Sequence, residues 1–224
     1  EIEKIWDGLD AFKEPKQLWE MRFDPMPPLL FGTGVIRLLG ERAKQLRIKK
    51  ALLIADPIMG KLGTTGEIQR ILEKSGIASA VFSDVEPDPP VEEIEKIGQL
   101  YRQEKCDGLI ALGGGSSMDA GKAAAIRVSQ AGPMTEFEAA VGGGGKIKPP
   151  LPPLICIPTT SGTGSEVNTY AIITDRERAK KFLFISRYII PSLAVIDPNI
   201  TRTMPKGLTA ETGVDALAHC IEGY

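Results

Sequence analysis

Cysteine, net charge and long apolar runs are all scarce in this chain, and each shortage excludes a class of protein. The three cysteines, Cys106, Cys156 and Cys220, are odd in number and far apart, which favours reduced thiols in a cytoplasmic protein over a disulfide framework. A formal net charge of −2 gives no argument for binding to nucleic acid or to a membrane. No apolar run approaches the length of a membrane span, and no signal-peptide pattern is present.

Histidine is scarcer still, because His219 is the only one among 224 residues. This shortage, together with the lack of a Gly-x-Ser-x-Gly elbow, argues against a Ser–His hydrolase. His219 follows Asp215 by four positions in a stretch with helical spacing, so both side chains project from one helix face. A carboxylate and an imidazole so placed can hold a divalent metal, and they are equally compatible with a solvent-facing pair.

What the chain does have is a regular alternation of apolar runs and segments with helical spacing, which begins at Pro28. Strands that are apolar on both faces and alternate with helices predict an α/β fold with a parallel sheet covered on both sides. A Gly/Pro-rich stretch at 142–153 is typical of a surface loop. We expect strands at 29–31, 51–55, 78–82, 108–112, 154–157, 170–174, 182–185 and 193–196, and helices at 35–46, 66–74, 91–103, 120–128 and 209–224.

The strongest phosphate-binding signal is the run Gly-Gly-Gly-Ser-Ser-Met-Asp at 113–119, between an expected strand and an expected helix. Glycines let the backbone approach a pyrophosphate, and the free N–H groups of a helix start attract negative charge. The alternative is a tight turn with a Ser or Asp cap. The run is neither a P-loop nor a GxGxxG fingerprint, because Ser116, Met118 and Ala123 stand at required positions.

Two further segments carry groups that suit a nucleotide. Asp56 ends the second strand, where a carboxylate can bond the two hydroxyls of a ribose and repel a 2′-phosphate. The same residue, just before Pro57, could equally be a helix cap. The stretch 158–166, Pro-Thr-Thr-Ser-Gly-Thr-Gly-Ser-Glu, combines five hydroxyl side chains with flexible glycines, so it can wrap a nucleotide with side-chain and backbone donors.

Four segments together, in this order, resemble the iron-containing alcohol dehydrogenase family, the metal-dependent group III enzymes. They are 113–122, 158–167, 194–198 and 208–224, and the resemblance runs from about Pro28 to the end of the chain. It implies a Rossmann-like nucleotide-binding domain over residues 1–204, of which 1–27 form an N-terminal extension. It also implies that residues 205–224 are the first helix of an all-helical, metal-binding domain.

The resemblance also implies roles for individual residues. Asp215 and His219 match the first two metal ligands of the family, and two further histidines would follow in the helical domain. Asp56 matches the ribose-binding position. The remaining positions expected to contact the dinucleotide are Gly114, Gly115, Ser116 and Asp119 in the glycine turn, Thr159, Thr160 and Thr163 around the nicotinamide half, and Ile172, Lys181 and Leu208 beyond it.

The implied function is interconversion of an alcohol with an aldehyde or ketone, by metal-assisted hydride transfer to or from NAD. The metal would be Fe²⁺ or Zn²⁺, the partner a small alcohol or aldehyde, and the assembly a homodimer or higher homo-oligomer. We expect no nucleic-acid or membrane partner, and no turnover from these 224 residues alone. Two alternatives remain: a nucleotide-binding fragment without catalysis, and a relative of the same fold similar to glycerol dehydrogenase or dehydroquinate synthase.

Overall fold

The computed structural model of the protein describes residues 26–222, so most of the expected N-terminal extension, residues 1–25, lies outside the described residues. The strands are β1 (Leu29–Phe31), β2 (Lys50–Ala55), β3 (Ala78–Phe82), β4 (Gly108–Gly113), β5 (Leu154–Pro158), β6 (Tyr170–Asp175), β7 (Lys180–Ile185) and β8 (Leu193–Ile196). The α-helices are α1 (Leu39–Gln45), α2 (Pro57–Lys61), α3 (Thr64–Lys74), α4 (Val91–Gln103), α5 (Gly115–Ser129) and α6 (Lys206–Glu222).

Six strands form one parallel sheet in the order β1-β8-β5-β4-β2-β3, which confirms the α/β prediction. The central strands β4 and β5 are buried along their whole length, as continuous apolar runs require. After β3 the chain crosses back over β2 to form β4 on the other side. The strand order therefore reverses between β2 and β4, and ligands of such sheets bind outside the carboxyl ends of the strands at this point.

Helices cover both faces of the sheet because successive strand residues point to opposite sides. On one face, Leu52 and Ile54 of β2 belong to a cluster with apolar residues of α4 and α5. On the other face, Leu53 and Ala55 pack in a cluster with residues of α1 and α3. No helix in the described part of the chain combines the length and apolarity needed to cross a bilayer.

The strands β6 and β7 do not join the parallel sheet but form a separate antiparallel hairpin. Phe182 and Phe184 of β7 are buried, whereas Lys181, Leu183 and Ile185 between and beside them are exposed. The hairpin therefore turns one apolar side onto the core that contains α5. Its other side, which carries Lys181, Leu183 and Ile185, is exposed.

Several expected boundaries were wrong, and local chemistry explains each. The expected helix at 35–46 begins as a 3-10 turn, Val35–Leu38, and becomes α-helical at Leu39. The short helix α2 was not expected, although Pro57 at its first position is a common helix start. The helix expected at 120–128 begins five residues earlier, at Gly115.

Candidate functional site

A cleft of about 280 Å³ opens at the carboxyl edge of the sheet, between α5, the loop after β5, the hairpin and α6. Eight residues expected from the sequence line it: Gly115, Ser116, Asp119, Thr163, Ile172, Lys181, Asp215 and His219. Five others, Asp56, Gly114, Thr159, Thr160 and Leu208, lie outside its lining. The fold thus gathers residues that are up to about a hundred positions apart around one space.

The glycine turn joins β4 to α5 with no loop between them: Gly113 ends the strand, Gly114 is the N-cap, and the helix begins at Gly115. Gly113 has a φ of +149°, and a Cβ there would lie 2.3 Å from Ser117 Oγ, so both conformation and packing require glycine. Gly115 and Ser116 occupy the first turn of α5, where backbone N–H groups have no partner within the helix. This arrangement is suited to binding a phosphate group.

Asp56 is the N-cap of α2, as one of its two sequence interpretations expected. Its Oδ1 accepts hydrogen bonds from the backbone N–H groups of Ile58 at 2.8 Å and Met59 at 3.1 Å. Its Oδ2 faces the glycine turn, because a Cβ on Gly113 would lie 3.0 Å from it. One oxygen therefore caps the helix, while the other lies at the reversal point between β2 and β4.

The hydroxyl-rich loop after β5, residues 159–169, lies directly on the glycine turn. The backbone N–H of Thr159, which is buried, donates to the Gly113 carbonyl at 2.9 Å. A Cβ on Gly114 would lie 3.3 Å from Thr160 Oγ1, and one on Gly115 would lie 3.1 Å from Thr163 Cγ2. The loop and the turn are therefore in contact, and a side chain at Gly114 or Gly115 would meet these threonines at less than the usual van der Waals distance.

Asp119 lines the cleft, yet both of its carboxylate oxygens are bonded to protein groups. Ser165 Oγ donates to Oδ1 at 2.6 Å, and the backbone N–H of Ile172 donates to Oδ2 at 2.9 Å. Burial raises the pKa of Asp119, and the nearby Lys122 ammonium opposes that rise. Such a carboxylate joins α5 to the loop and the hairpin, so it helps to fix the shape of the cleft.

The segment between β3 and α4, residues 83–90, borders the cleft, and sequence analysis missed it. Asp88 and Pro89 line the space, and the Asp88 backbone N–H donates to Ser116 Oγ at 3.3 Å. The ammonium of Lys181, a residue expected to contact the cofactor, lies 2.7 Å from the Asp88 carboxylate. The sequence clue to segment 83–90 was its position, because it follows the carboxyl end of β3, which lies next to β2 and the reversal point.

The same segment is held by Glu93, a buried carboxyl group in the first turn of α4. Its Oε2 accepts from the Glu86 backbone N–H at 3.1 Å, and its Oε1 is buried without a partner. Burial raises the pKa of Glu93 to about 7, and the Glu86 charge adds to the rise, while that backbone bond, Lys96 and Arg176 oppose it. The charged form is therefore disfavoured in the folded protein.

Glu93→Gln should stabilise the protein at pH 8 and change its stability little at pH 5. Because the folded-state pKa lies above the ordinary 4.5, the stability contributed by Glu93 is complete below pH 4.5 and is lost as pH rises through about 7. At about 1.4 kcal/mol per pKa unit, the gain at pH 8 is at most about 3 kcal/mol. Urea denaturation at both pH values measures it, with Glu92→Gln, an exposed neighbour, as the control. An equal gain at pH 5 and pH 8 would contradict this account.

The pair Asp215 and His219 lies on α6, with His219 Nε2 3.5 Å from Asp215 Oδ1. Both side chains are about half exposed, and both face the cleft. A carboxylate and an imidazole suit Fe²⁺ and Zn²⁺ alike, so the donors fit a metal of either kind. Among residues 26–222, no group of three or more His, Cys, Asp or Glu could hold a metal ion.

Helix α6 contacts the hydroxyl-rich loop closely at one point, and elsewhere it is poorly covered. A Cβ on Gly162 would lie 2.5 Å from the Thr212 carbonyl oxygen, so the helix backbone rests against the loop. The apolar side chains of Val214, Leu217 and Ile221 are 65%, 58% and 67% exposed. Their spacing of three and four residues forms an apolar stripe, as on a helix that packs against others.

Comparison of this sequence with those of known proteins identifies relatives that match most of the chain. The choline dehydrogenase of Bacillus subtilis (strain 168) is 45% identical over 197 residues, which are 86% of this chain and 48% of that protein. The NAD-dependent methanol dehydrogenase of Bacillus methanolicus is 35% identical over 198 residues, 88% of this chain and 51% of that protein. The chain thus spans about half the length of the curated relatives it matches.

Structure and family models agree with these relationships. The crystal structure of a 1,3-propanediol oxidoreductase superimposes with a TM-score of 0.85 at 34% identity, covering 90% of this chain and 52% of that one. The family model described as iron-containing alcohol dehydrogenase matches residues 27–198. Since this match covers well over half of the sequence, the chain belongs to the iron-containing alcohol dehydrogenase family.

Proposed function

We propose that this chain functions in an NAD-dependent oxidoreductase. The enzyme would interconvert a small alcohol and the corresponding aldehyde or ketone, assisted by a divalent metal. One observation carries the proposal: a single cleft is lined by the first turn of α5, by Thr163 of the hydroxyl-rich loop and by the pair Asp215 and His219. Groups suited to binding a phosphate and groups suited to ligating a metal therefore line a common space, which supports the proposal. We name no particular alcohol, because relatives named for choline and for methanol match the same residues.

The dinucleotide would be held by groups that the structure already orients. The N–H groups of Gly115 and Ser116 point from the start of α5 and would bind the pyrophosphate. Asp56 Oδ2, beside Gly113, would accept from the hydroxyls of the adenosine ribose. Thr163 and Ile172 would border the nicotinamide half, where they exclude water from the reacting carbon.

The metal would be held by Asp215 and His219. Further ligands would come from a polypeptide region that corresponds to the second half of the longer relatives. When bound there, a metal would supply Lewis-acid polarisation of the alcohol or carbonyl oxygen, and NAD would supply the hydride acceptor or donor. Asp215 and His219 would thereby set the position of that oxygen in the cleft that Thr163 also lines. Iron and zinc fit the two donors equally well.

The exposed stripe on α6 supports a second, helical domain. Val214, Leu217 and Ile221 would be covered if further helices packed on this side. The domain boundary near residue 205 is consistent with the start of α6 at Lys206. A homodimer and a cytoplasmic location remain parts of the proposal, the latter supported by the free thiols of Cys106, Cys156 and Cys220.

A nucleotide-binding fragment without catalysis is the alternative that one observation favours. The described residues offer two metal ligands and no cluster of three. The family match favours the iron group over relatives of the glycerol dehydrogenase or dehydroquinate synthase type. Calorimetric titration of the purified chain with NADH tests dinucleotide binding, which both candidate functions require. An absence of saturable binding would contradict both.

NAD should bind in preference to NADP, and Asp56→Asn should relax that preference. The negative charge of Asp56 would lie where a 2′-phosphate must fit, so removing it lowers the penalty for NADP. Asparagine is as good an N-cap as aspartate, so the bonds to Ile58 and Met59 are retained and α2 should stay intact. Calorimetric titration of both proteins with both cofactors measures the effect. Equal affinity of the unmutated protein for NAD and NADP would count against the assignment.

A further inference from the structure

Lys122, in the second turn of α5, is a completely buried lysine that the sequence analysis did not connect with the site. Its Nζ donates to Ser165 Oγ at 2.9 Å, to Asn168 Oδ1 at 2.5 Å and to the Tyr170 carbonyl at 2.8 Å. These bonds use all three donors of the ammonium group. They tie α5 to two positions in the hydroxyl-rich loop and to the first residue of β6.

Asp119 extends the same network by one turn of helix. Its Oδ1 lies 3.8 Å from Lys122 Nζ and accepts from Ser165 Oγ, and its Oδ2 accepts from the Ile172 backbone N–H. The Ser165 backbone N–H in turn donates to Thr163 Oγ1 at 3.3 Å. The network therefore reaches, through a few hydrogen bonds, the loop residue that packs on Gly115.

A buried ion pair of this kind is poor evidence for stability, because apolar residues of the same volume often stabilise a core equally well. Burial lowers the pKa of Lys122 and raises that of Asp119, and each group opposes the shift of the other. What the pair does determine is geometry. It fixes a loop that contains two glycines and little regular structure against a helix and a strand.

We propose that Lys122 is a positioning residue, which acts with Asp119 to hold the hydroxyl-rich loop and the start of β6 in the shape that receives the nicotinamide half of the dinucleotide. The inference rests on the proposed binding of NAD in this cleft. Four residues held by the network, Ser165, Asn168, Tyr170 and Ile172, line the cleft. None of the three hydrogen bonds that Lys122 donates goes to the glycine turn, so the phosphate-facing start of α5 is not directly held by this lysine.

The test compares NAD with ADP, which has the adenosine and both phosphates but lacks the nicotinamide half. Lys122→Met should weaken NAD binding at least about tenfold in calorimetry and leave ADP binding within about twofold. Lys50→Met is the matched control: Lys50 pairs with Glu104 at 2.7 Å, far from the cleft, and its loss should change neither affinity.

A double variant separates positioning from folding. Lys122→Met leaves the Asp119 carboxylate buried without its counter-charge, which can destabilise the fold. Asp119→Asn combined with Lys122→Met removes both charges, so stability should recover towards that of the wild type in urea denaturation. If Lys122 positions the loop, NAD affinity stays low in the double variant. If NAD affinity recovers with stability, the role is structural only and the inference is wrong.

The outcomes also separate this inference from the proposed function. A wild-type chain that binds neither NAD nor ADP would overturn the proposed function and the inference with it. A wild-type chain that binds both, with a Lys122→Met variant that loses both equally or neither, would overturn the inference alone. Selective loss of NAD in the single and the double variant supports it.

Discussion

Gly115→Val should abolish dinucleotide binding by this chain. A Cβ at position 115 would already lie 3.1 Å from Thr163 Cγ2 and 3.4 Å from Thr163 Oγ1, and valine adds two methyl groups. The side chain would push the hydroxyl-rich loop away from the first turn of α5 and cover the N–H groups proposed to bind pyrophosphate. We expect NAD affinity to fall at least about a hundredfold, or roughly 3 kcal/mol.

The measurement is calorimetric titration with NAD and with ADP, and the two should be lost together. This distinguishes Gly115→Val from Lys122→Met, for which only NAD binding should fall. Gly66→Val is the matched control, because a Cβ at Gly66 on α3 meets no atom within 4 Å. Circular dichroism checks that both variants are folded. Unchanged NAD affinity in a folded Gly115→Val protein would remove the glycine turn from the proposed site.

The parallel sheet could be predicted because its strands are long enough and apolar on both faces. Residues 51–55 and 108–112 are continuous apolar runs, and the structure buries every residue of both. Such runs leave no polar face, so they fit only a sheet covered on both sides. Strand order could not be derived in the same way, because it depends on which helices cross which face.

The start of α5 was misplaced because local preference and tertiary packing disagree there. Glycine and serine favour turns over helix interiors, so the sequence predicts a turn at 113–119 that opens a helix at residue 120. In the structure, Ser117 and Met118 are buried against the sheet, and this packing extends the helix back to Gly115. The N–H groups proposed to bind phosphate therefore belong to the N-terminal end of a 15-residue helix, whose dipole favours an anion there.

The order of the sequence motifs predicted most residues that line the cleft. The contacts between the motifs could be seen only in the folded structure. Lys122 is 43 positions from Ser165, and Asp88 is 28 positions from Ser116, so no spacing rule connects them. A charge at Lys122 within the alanine-rich stretch of α5 was an available signal, because a lysine buried with those alanines needs hydrogen-bond partners. The segment 83–90 gave only its position after β3.

Metal binding by these 224 residues alone should be weak, and alcohol oxidation by them should be undetectable. The described residues contain no group of three or more His, Cys, Asp or Glu that could hold a metal, and the two proposed ligands Asp215 and His219 would leave the remaining positions to water. Calorimetry with Zn²⁺, and with Fe²⁺ under anaerobic conditions, measures the affinity. Robust turnover by the chain alone would overturn the view that further ligands complete the site.

Joining the chain to the second half of a longer relative should restore both metal retention and turnover, and His219→Ala should then remove both. Polarisation of the substrate oxygen contributes several kcal/mol, so its loss should lower kcat by about a thousandfold or more. Glu211→Ala is the control, because Glu211 is an exposed acid on the same helix and does not line the cleft. A His219→Ala protein that kept its metal and its activity would show that His219 is not a ligand. Loss of activity with the metal retained would instead assign the histidine to substrate binding or proton transfer, and Asp215→Asn would then be expected to behave differently from His219→Ala.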